Sequence, residues 1–238
     1  MHGAPRRHAV AGPFACLAYD QVMAAGLFYV YTEPGTTDEA EFHDWYDHEH
    51  GPARLTVPGI RTALRYQALD EQEPTWLALY ELDGPEVIDS PEYRALGAQA
   101  SDRDRAVAAG LTTLDRRVYE QTSLHGLDVL PVPAPVVLAV SMSVPAGTEQ
   151  DVAAWYADEH IPMLLKVPGW QRIRRYRLVR SLDEPGPELL SLHDLAGLQV
   201  LEEPAYRAAV STPWRDRIVA SAVRRERRVF GLRNAIGA

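Results

Sequence analysis

The sequence predicts an α+β fold built from two similar β-α-β-β-α-β units, and an internal repeat is the main reason. Residues 45–66 recur as residues 155–176, and each matched pair is separated by the same number of positions without a gap. Both segments keep Trp-Tyr, Glu-His, Val-Pro-Gly and Arg-Tyr in the same places. A match of this length in a non-repetitive chain indicates a duplication.

Further matches extend the repeat along the chain. SPEYRA at residues 90–95 corresponds to EPAYRA at residues 203–208. Each copy then spans about 100 residues, which is a normal domain size. The predicted organisation is a first unit at 26–122, a proline-rich linker at 123–135 and a second unit at 136–232.

The order of elements in each copy follows from hydrophobic patterning and turn residues. In the first copy, a buried strand precedes a Pro-Gly turn, and two strands joined by a hairpin lie between two helices before a final strand. This order is the ferredoxin-like split unit, which the second copy repeats. The first-copy elements are predicted at strand 26–35, a helix from 38, strands 60–69 and 76–82, helix 91–109 and strand 113–121.

Prolines interrupt the first helix of each copy in the same way. Pro52 and Pro162 each lack the amide that would bond a carbonyl one turn earlier. The helix should therefore kink or restart there. His50 and His160 would then lie beside a frayed turn.

One such unit has helices on only one face of its antiparallel sheet, so the other face needs a cover. The second copy can supply that cover within the chain, as an intramolecular pseudo-dimer. Strand residues that alternate toward the covered face would line a small cavity between the sheets, which is a usual place for a ligand. Further dimerisation of such barrels stays open.

Composition restricts the partners. The chain has 24 Lys plus Arg against 33 Asp plus Glu, a net charge of −9. Nucleic acid and anionic membranes attract basic faces, so neither is an expected partner. Cys16 is the single cysteine, which excludes an intramolecular disulfide and fits a reducing, cytoplasmic setting. No stretch approaches the roughly 18 apolar residues of a membrane span.

Residues 1–25 stand outside the repeat and are expected to form a loose N-terminal tail. Alternatively, Met23 opens the protein and the preceding residues belong to an upstream start. An export signal is not predicted, because the apolar run after Arg6-Arg7 is short and Gly12-Pro13 interrupts it.

The motif WY-x-x-EH-x-P, the Val-Pro-Gly turn and the following Arg-Tyr strand resemble the dimeric α/β-barrel superfamily and, within it, the EthD-like proteins. The resemblance covers nearly all of residues 26–232, as two fused copies. It implies a barrel of two ferredoxin-like sheets, with a histidine of the first helix as the usual catalytic residue in EthD-like decarboxylases. The superfamily also includes polyketide cyclases, isomerases, cofactor-free oxygenases and haem peroxidases, so the fold does not decide the reaction.

The candidate catalytic histidines are His50 and His160, each preceded by a glutamate, Glu49 or Glu159. Imidazole titrates near neutrality and can move a proton in either direction, which suits decarboxylation, dehydration or cyclisation. The alternative is that each Glu-His pair caps the carbonyls that the proline leaves free. The first copy is richer in polar groups, so His50 is favoured.

Three further residue types complete the predicted site. Arg65 and Arg175 precede Tyr66 and Tyr176 on a strand, so only one residue of each pair can face the cavity. A tyrosine there could donate to a developing oxyanion, whereas an arginine would bind a carboxylate. Trp45 and Trp155 are predicted to anchor the core and to contact the substrate.

A metal site is a weaker alternative. His43, Asp47 and His50 share one helix face, but Ala153 and Ala157 occupy the positions that match His43 and Asp47 in the second copy. Neither a metal nor another cofactor is expected.

The sequence therefore favours a small cofactor-independent lyase or isomerase with a hydrophobic, aromatic or polyketide-like substrate. A non-catalytic ligand-binding accessory protein and a cofactor-free or haem monooxygenase are the alternatives.

Overall fold

The computed structural model describes residues 26–237, in which eight antiparallel strands close into one barrel. The strands are β1 Gly26–Glu33, β2 Ala63–Ala68, β3 Trp76–Leu82, β4 Thr113–Gly126, β5 Val136–Ser143, β6 Trp170–Ser181, β7 Leu189–Leu195 and β8 Arg224–Ile236. The predicted tail at 1–25 lies outside the described residues.

The order around the barrel is β1-β3-β2-β8-β5-β7-β6-β4. Strands of the first half form one arc and strands of the second half form the other. The arcs join where β2 pairs with β8 and where β4 pairs with β6. Each junction gives hydrogen-bonding partners to strands that would otherwise be sheet edges. The element order of the second half repeats that of the first, while the duplication itself stays a prediction from the sequence.

Eight helices in the described part of the chain cover the outside of the barrel. They are α1 Glu39–Trp45, α2 Gly51–Leu55, α3 Pro91–Ala98, α4 Asp102–Gly110, α5 Glu149–Trp155, α6 Ile161–Leu164, α7 Pro204–Ala209 and α8 Pro213–Ser221. No helix among residues 26–237 is long and apolar enough to cross a membrane.

A π-helical turn separates the first two helices of each half. In the first half, the Gly51 amide donates to the Tyr46 carbonyl, and in the second half Ile161 donates to Tyr156. The proline that follows has no amide hydrogen, which is the physical reason that the sequence predicts an interruption here. Single π-helical turns of this kind occur frequently at functional sites.

Alternation along the strands separates an inner face from an outer face. Tyr29 and Tyr31 of β1 belong to the apolar cluster inside the barrel, whereas Phe28 and Val30 pack with the helices. Large side chains fill the middle of the barrel, and three arginines are buried within it. These are Arg117, Arg174 and Arg228, each paired with at least one carboxylate.

Two boundaries differ from the predictions. Strand β4 continues past 122 to Gly126, so the first part of the predicted linker 123–135 is a strand whose residues pair with 172–175 of β6. Strand β8 likewise runs beyond 232 because its last residues pair with β2. Both extensions lie at the junctions between the arcs, where the pairing partner comes from the other half of the chain.

The predicted helix at 91–109 is also two helices, α3 and α4. The Ser101 side chain accepts a hydrogen bond from the Asp104 amide and so begins a new helix. In the second half Thr212 accepts from Arg215 in the same way and separates α7 from α8. An N-cap inside a long polar segment is easily missed in a sequence.

Candidate functional site

The glutamate of each Glu-His pair connects the π-helical turn to the second helix pair. Thr212 Oγ1 donates to Glu159 Oε1 over 2.5 Å. In the first half, the Ser101 hydroxyl donates to Glu49 in the corresponding contact. Ser101 and Thr212 are also the N-caps of α4 and α8, so each glutamate fixes the helix that covers its histidine. Both glutamates are therefore bound to the hydroxyl group of an N-cap residue.

The two histidines have different surroundings. His50 Nδ1 lies 3.2 Å from Asp104 Oδ1, which also accepts a hydrogen bond from Trp45 Nε1. Arg215 is the counterpart of Asp104 in the second half, because each is the third residue after the N-cap of its helix. No described residue forms a hydrogen bond with Nδ1 of His160.

A cavity of about 130 Å³ lies at His160, between the outer face of the second arc and its helices. Its lining includes Trp155, Tyr156, His160, Trp170, His193, Tyr206, Arg215, Arg225 and Arg227. The cavity therefore combines two imidazoles, aromatic rings and three guanidinium groups.

Aromatic contacts hold the two imidazoles in place. The His160 ring stacks on Trp155 at 4.3 Å between centroids, with the planes 23° apart. The His193 ring meets Trp170 edge to face at 5.2 Å, and Trp170 in turn stacks on Tyr206. Trp155 thus contacts one of the two histidines predicted from the sequence, and its own Nε1 donates to Glu159.

Burial keeps both imidazoles neutral. Desolvation lowers the pKa of His160 to about 4. A hydrogen bond with the Ala209 backbone opposes this shift, whereas nearby Arg215 and Arg175 act in the same direction as desolvation. The pKa of His193 also lies well below its usual range because the ring is wholly buried. No described residue bonds to Nδ1 of His193 either. An imidazole that is neutral at neutral pH can act as a base.

The matching space in the first half is filled by aromatic side chains. Tyr80 pairs with Phe28 between β3 and β1, in the register in which His193 pairs with Leu138 between β7 and β5. Tyr80 and Tyr46 share a 2.8 Å hydrogen bond between their hydroxyls. The larger side chains of the first half therefore occupy the volume that is open beside His193.

The outer face also carries the two predicted arginines. Arg65 lies 4.1 Å from the centre of the Tyr46 ring, and Arg175 lies 4.0 Å from that of Tyr156. Arg65 forms a 2.6 Å ion pair with Asp47. Burial lowers the pKa of Arg175, and no carboxylate of residues 26–237 is among the causes of this shift. The two halves thus place equivalent arginines in different electrostatic environments.

The predicted tyrosines lie on the opposite face of the sheet. Tyr66 and Tyr176 belong to the cluster inside the barrel, where burial raises the pKa of Tyr176 to about 12 and that of Tyr66 further. The strands separate both hydroxyls from the histidines. The sequence grouped these residues in one site, but the structure does not bring them together.

Tyr66 instead lines a second cavity of about 450 Å³ at one end of the barrel. Residues 128–134, within the predicted linker, form part of its wall, and the Tyr66 hydroxyl donates to the Ala134 carbonyl over 3.4 Å. Its opposite wall includes the buried ion pairs of Arg174 with Asp194 and Glu81. This end space is the part of the barrel interior that corresponds to the predicted cavity between sheets.

The three potential metal ligands of the first half contact different partners. Arg65 contacts both His43 Nδ1 and Asp47, whereas His50 turns toward Asp104. Across residues 26–237, no group of three or more His, Cys, Asp or Glu side chains is arranged to hold a metal ion.

Sequence patterning alone did not single out His193, Arg215 or Arg225. His193 lies on β7 and has no histidine counterpart in the first half, so the repeat motif does not include it. The sequence feature that could have identified His193 is the difference between Tyr80 and His193, which occupy equivalent positions on β3 and β7. The ring of Tyr206, in the repeated segment at 203–208, also lines the cavity.

No protein-family model matches the sequence, and no curated protein matches it either. Solved structures do share the fold. An anthrone oxidase-like protein is 14% identical with a TM-score of 0.60, covering 88% of this chain and 91% of its own. A proposed monooxygenase from Lactobacillus acidophilus is 12% identical with a TM-score of 0.56, covering 89% and 96%. A proposed chlorite dismutase is 15% identical with a TM-score of 0.53, covering 88% and 95%.

The closed barrel and these similarities define the fold class: the chain has an α+β fold in which eight antiparallel strands of one chain close into a barrel, and it shares this fold with the solved structures above. The narrower resemblance to EthD-like proteins stays a prediction from the motif.

Proposed function

We propose that this protein is a cofactor-independent enzyme that moves a proton to or from a small aromatic carbonyl compound in the His160 cavity. The observation that carries the proposal is the pair of neutral imidazoles, His160 and His193, that line one aromatic-walled cavity. Two candidate bases beside a stacking surface suit enolisation, the step that decarboxylation, dehydration and aldol cyclisation share.

In the proposed step, an imidazole nitrogen takes the proton from a carbon next to a carbonyl group. The electron pair of the broken C–H bond forms the enolate double bond, and negative charge moves to the carbonyl oxygen. The guanidinium groups of Arg225 and Arg227 supply positive charge near that oxygen. The proton then returns to the same carbon, to another carbon or to a leaving group, which determines the product.

The volume of the cavity restricts the substrate. About 130 Å³ is below the 300–1,000 Å³ of typical ligand pockets. It suits a single aromatic ring, or the reacting end of a longer molecule whose remainder extends past the arginines. The open space beside His193 also favours His160 and His193 over His50, whose imidazole is bound to Asp104.

Deuterium exchange tests the proposal without knowledge of the natural substrate. Phenylpyruvate, a one-ring keto acid, would be incubated with the protein in D₂O, and loss of its benzylic protons followed by NMR. Wild type should accelerate exchange above the buffer rate. His160→Gln or His193→Gln should lower the catalysed rate by about 100-fold or more.

His48→Gln is the matched control, because the His48 side chain is 73% exposed and lies outside the cavity. The proposal fails if wild type does not exceed the buffer rate with phenylpyruvate or with a panel of one-ring ketones. It also fails if both cavity variants keep the wild-type rate.

Cofactor-free oxidation is the second candidate, supported by the fold similarity to an anthrone oxidase-like protein and to a proposed monooxygenase. The same deprotonation would produce a carbanion that transfers electrons to O₂. The CH₂ group of anthrone would become C=O, one oxygen atom would be retained and the other would leave as water. Oxygen uptake with anthrone distinguishes this outcome from proton transfer alone.

Ligand binding without catalysis remains the third candidate because of the cavity at the barrel end. Its volume of about 450 Å³ falls within the usual range for ligand pockets. An accessory protein of this kind should keep its ligand affinity when His160 and His193 are replaced. Tyr66→Trp, which would enlarge a side chain in the wall of that cavity, should instead weaken binding.

A further inference from the structure

The cavity at His160 has an unusual distribution of charge for a protein with a net charge of −9. Arg215, Arg225 and Arg227 contribute to its lining, and the lining contains no aspartate or glutamate. Arg225 is exposed at the residue level while Arg215 and Arg227 are half-buried, which places positive charge at the open side of the cavity. His160 and His193 lie deeper and are neutral.

The partners of these arginines differ from those of arginines elsewhere. Inside the barrel, Arg117, Arg174 and Arg228 each form ion pairs with carboxylates. At the cavity, Arg227 donates to the Tyr206 hydroxyl over 3.1 Å, and no described residue pairs with Arg225. Arg215 contacts Asp216, whose carboxylate is largely exposed and so provides little compensation.

Burial lowers the pKa of Arg225, and repulsion from the neighbouring Arg215 and Arg227 lowers it further. Tyr156 and Tyr206 oppose this shift, and no carboxylate of residues 26–237 is among the strongest influences on the Arg225 pKa. A group of cations that the protein itself leaves uncompensated favours an anionic ligand, because a bound carboxylate would relieve the repulsion and accept forked hydrogen bonds.

The first half shows that this arrangement is not a requirement of the fold. Leu114 and Arg116 occupy the positions of Arg225 and Arg227 on the last strand, and Arg116 is paired with Asp183. Asp104 occupies the position of Arg215. At the positions of Arg215 and Arg227, the first half therefore has an acidic residue, Asp104, and an arginine that is paired with a carboxylate, Arg116.

We propose that the His160 cavity binds an aromatic anion, with its carboxylate or enolate held by Arg225 and Arg227 and its ring between Trp155 and Trp170. This inference deepens the proposed function, because it names the substrate class of the same site. When the anionic group of the ligand is bound by the two arginines, the ligand carbon attached to that group would lie next to the two imidazoles.

The test compares benzoate with benzamide, its neutral isostere, by NMR titration of the full chain. Wild type should bind benzoate at least ten-fold more tightly than benzamide, and added salt should weaken only benzoate. Arg225→Gln or Arg227→Gln should reduce benzoate affinity at least five-fold and leave benzamide unchanged. Glutamine at 227 keeps a donor for the Tyr206 hydroxyl, which helps to preserve the local structure.

Arg217→Gln is the control, because Arg217 lies on the same helix as Arg215 but is 62% exposed and pairs with Asp151. Equal affinities for the two ligands in wild type, or an Arg225→Gln variant that binds benzoate normally, would overturn the anion site. Each variant should first show an unchanged melting temperature.

The two proposals can fail separately. Benzoate binding to a protein that catalyses no proton exchange would support the anion site and reject the enzyme. Exchange of a neutral ketone without preference for benzoate would reject the anion site and support the enzyme.

Discussion

Tyr80 and His193 occupy equivalent positions in the two arcs of the barrel but have opposite effects on the space around them. Tyr80 is opposite Phe28 in the β1–β3 pairing, and its hydroxyl bonds to Tyr46. His193 is opposite Leu138 in the β5–β7 pairing, and its smaller ring lines a cavity. One aligned position thus distinguishes a filled core from a candidate site.

The first prediction concerns this position. His193→Tyr should fill the cavity and lower benzoate affinity at least ten-fold, because the phenol would take the place that Tyr80 has beside Tyr46. The melting temperature should stay the same or rise, since a cavity is removed. NMR titration and thermal unfolding would measure both effects.

Tyr80→His is the reciprocal control. It should destabilise the protein by about 1–3 kcal/mol, because the Tyr46 hydroxyl loses its buried partner. Undiminished benzoate binding in His193→Tyr would show that the ligand does not occupy this cavity.

The second prediction is a pH dependence of stability. The pKa of His160 is about 4 in the folded protein, against about 6.5 for an unperturbed histidine. The unfolded chain therefore binds a proton between these values that the folded chain does not. The contribution of His160 to the free energy of unfolding is fully present above pH 6.5. It decreases as the pH falls toward 4 and is constant below that value. The loss amounts to about 3 kcal/mol.

Urea unfolding at pH 7 and at pH 4.5 measures this loss. His160→Gln should reduce the difference between the two pH values relative to wild type. His50, whose pKa is also about 4, provides a second titrating group, so His50→Gln should have a similar effect. An unchanged pH difference in His160→Gln would show that His160 titrates normally in the folded state.

The third prediction tests the contact between Thr212 and Glu159. Thr212→Val removes both the N-cap of α8 and the hydrogen bond to Glu159. The protein should lose about 1–2 kcal/mol of stability. Catalysed exchange should also fall, because α8 carries Arg215 at the cavity.

Ser101→Ala is the matched variant in the first half, where the same N-cap and the same glutamate contact are present. It should cost similar stability without affecting exchange. If both variants lower the exchange rate equally, the loss results from lower stability of the whole protein and not from a change in the position of α8.

The fourth prediction follows from the opposite faces of the second strand in each half. Tyr66→Phe and Tyr176→Phe should leave the exchange rate within about two-fold of wild type, since the barrel wall separates both hydroxyls from His160. Tyr206→Phe should lower it, because the Tyr206 hydroxyl holds Arg227 at the cavity. Steady-state exchange rates at saturating phenylpyruvate measure this directly. A large loss in Tyr176→Phe would place the chemistry inside the barrel.

Much of the architecture follows from sequence pattern. The Trp-Tyr, Glu-His and Val-Pro-Gly segments predicted the order of elements, and Pro52 and Pro162 predicted the interruption of the first helix in each half. These features depend on local backbone chemistry. The alternation of Arg65 with Tyr66 also predicted that the two would face opposite sides, although it did not indicate which side holds the histidines.

The sequence by itself determined the α+β class and the matching histidines beside the interrupted helices. Only the tertiary structure decided that the edges of the two arcs join into one barrel, that the candidate cavity lies under the helices, and that it opens beside His160. The physical reason is that a cavity depends on the volumes of side chains from separate strands. Tyr80 with Phe28 fills the space, and His193 with Leu138 does not, so equal motifs in the sequence have unequal surroundings in the folded chain.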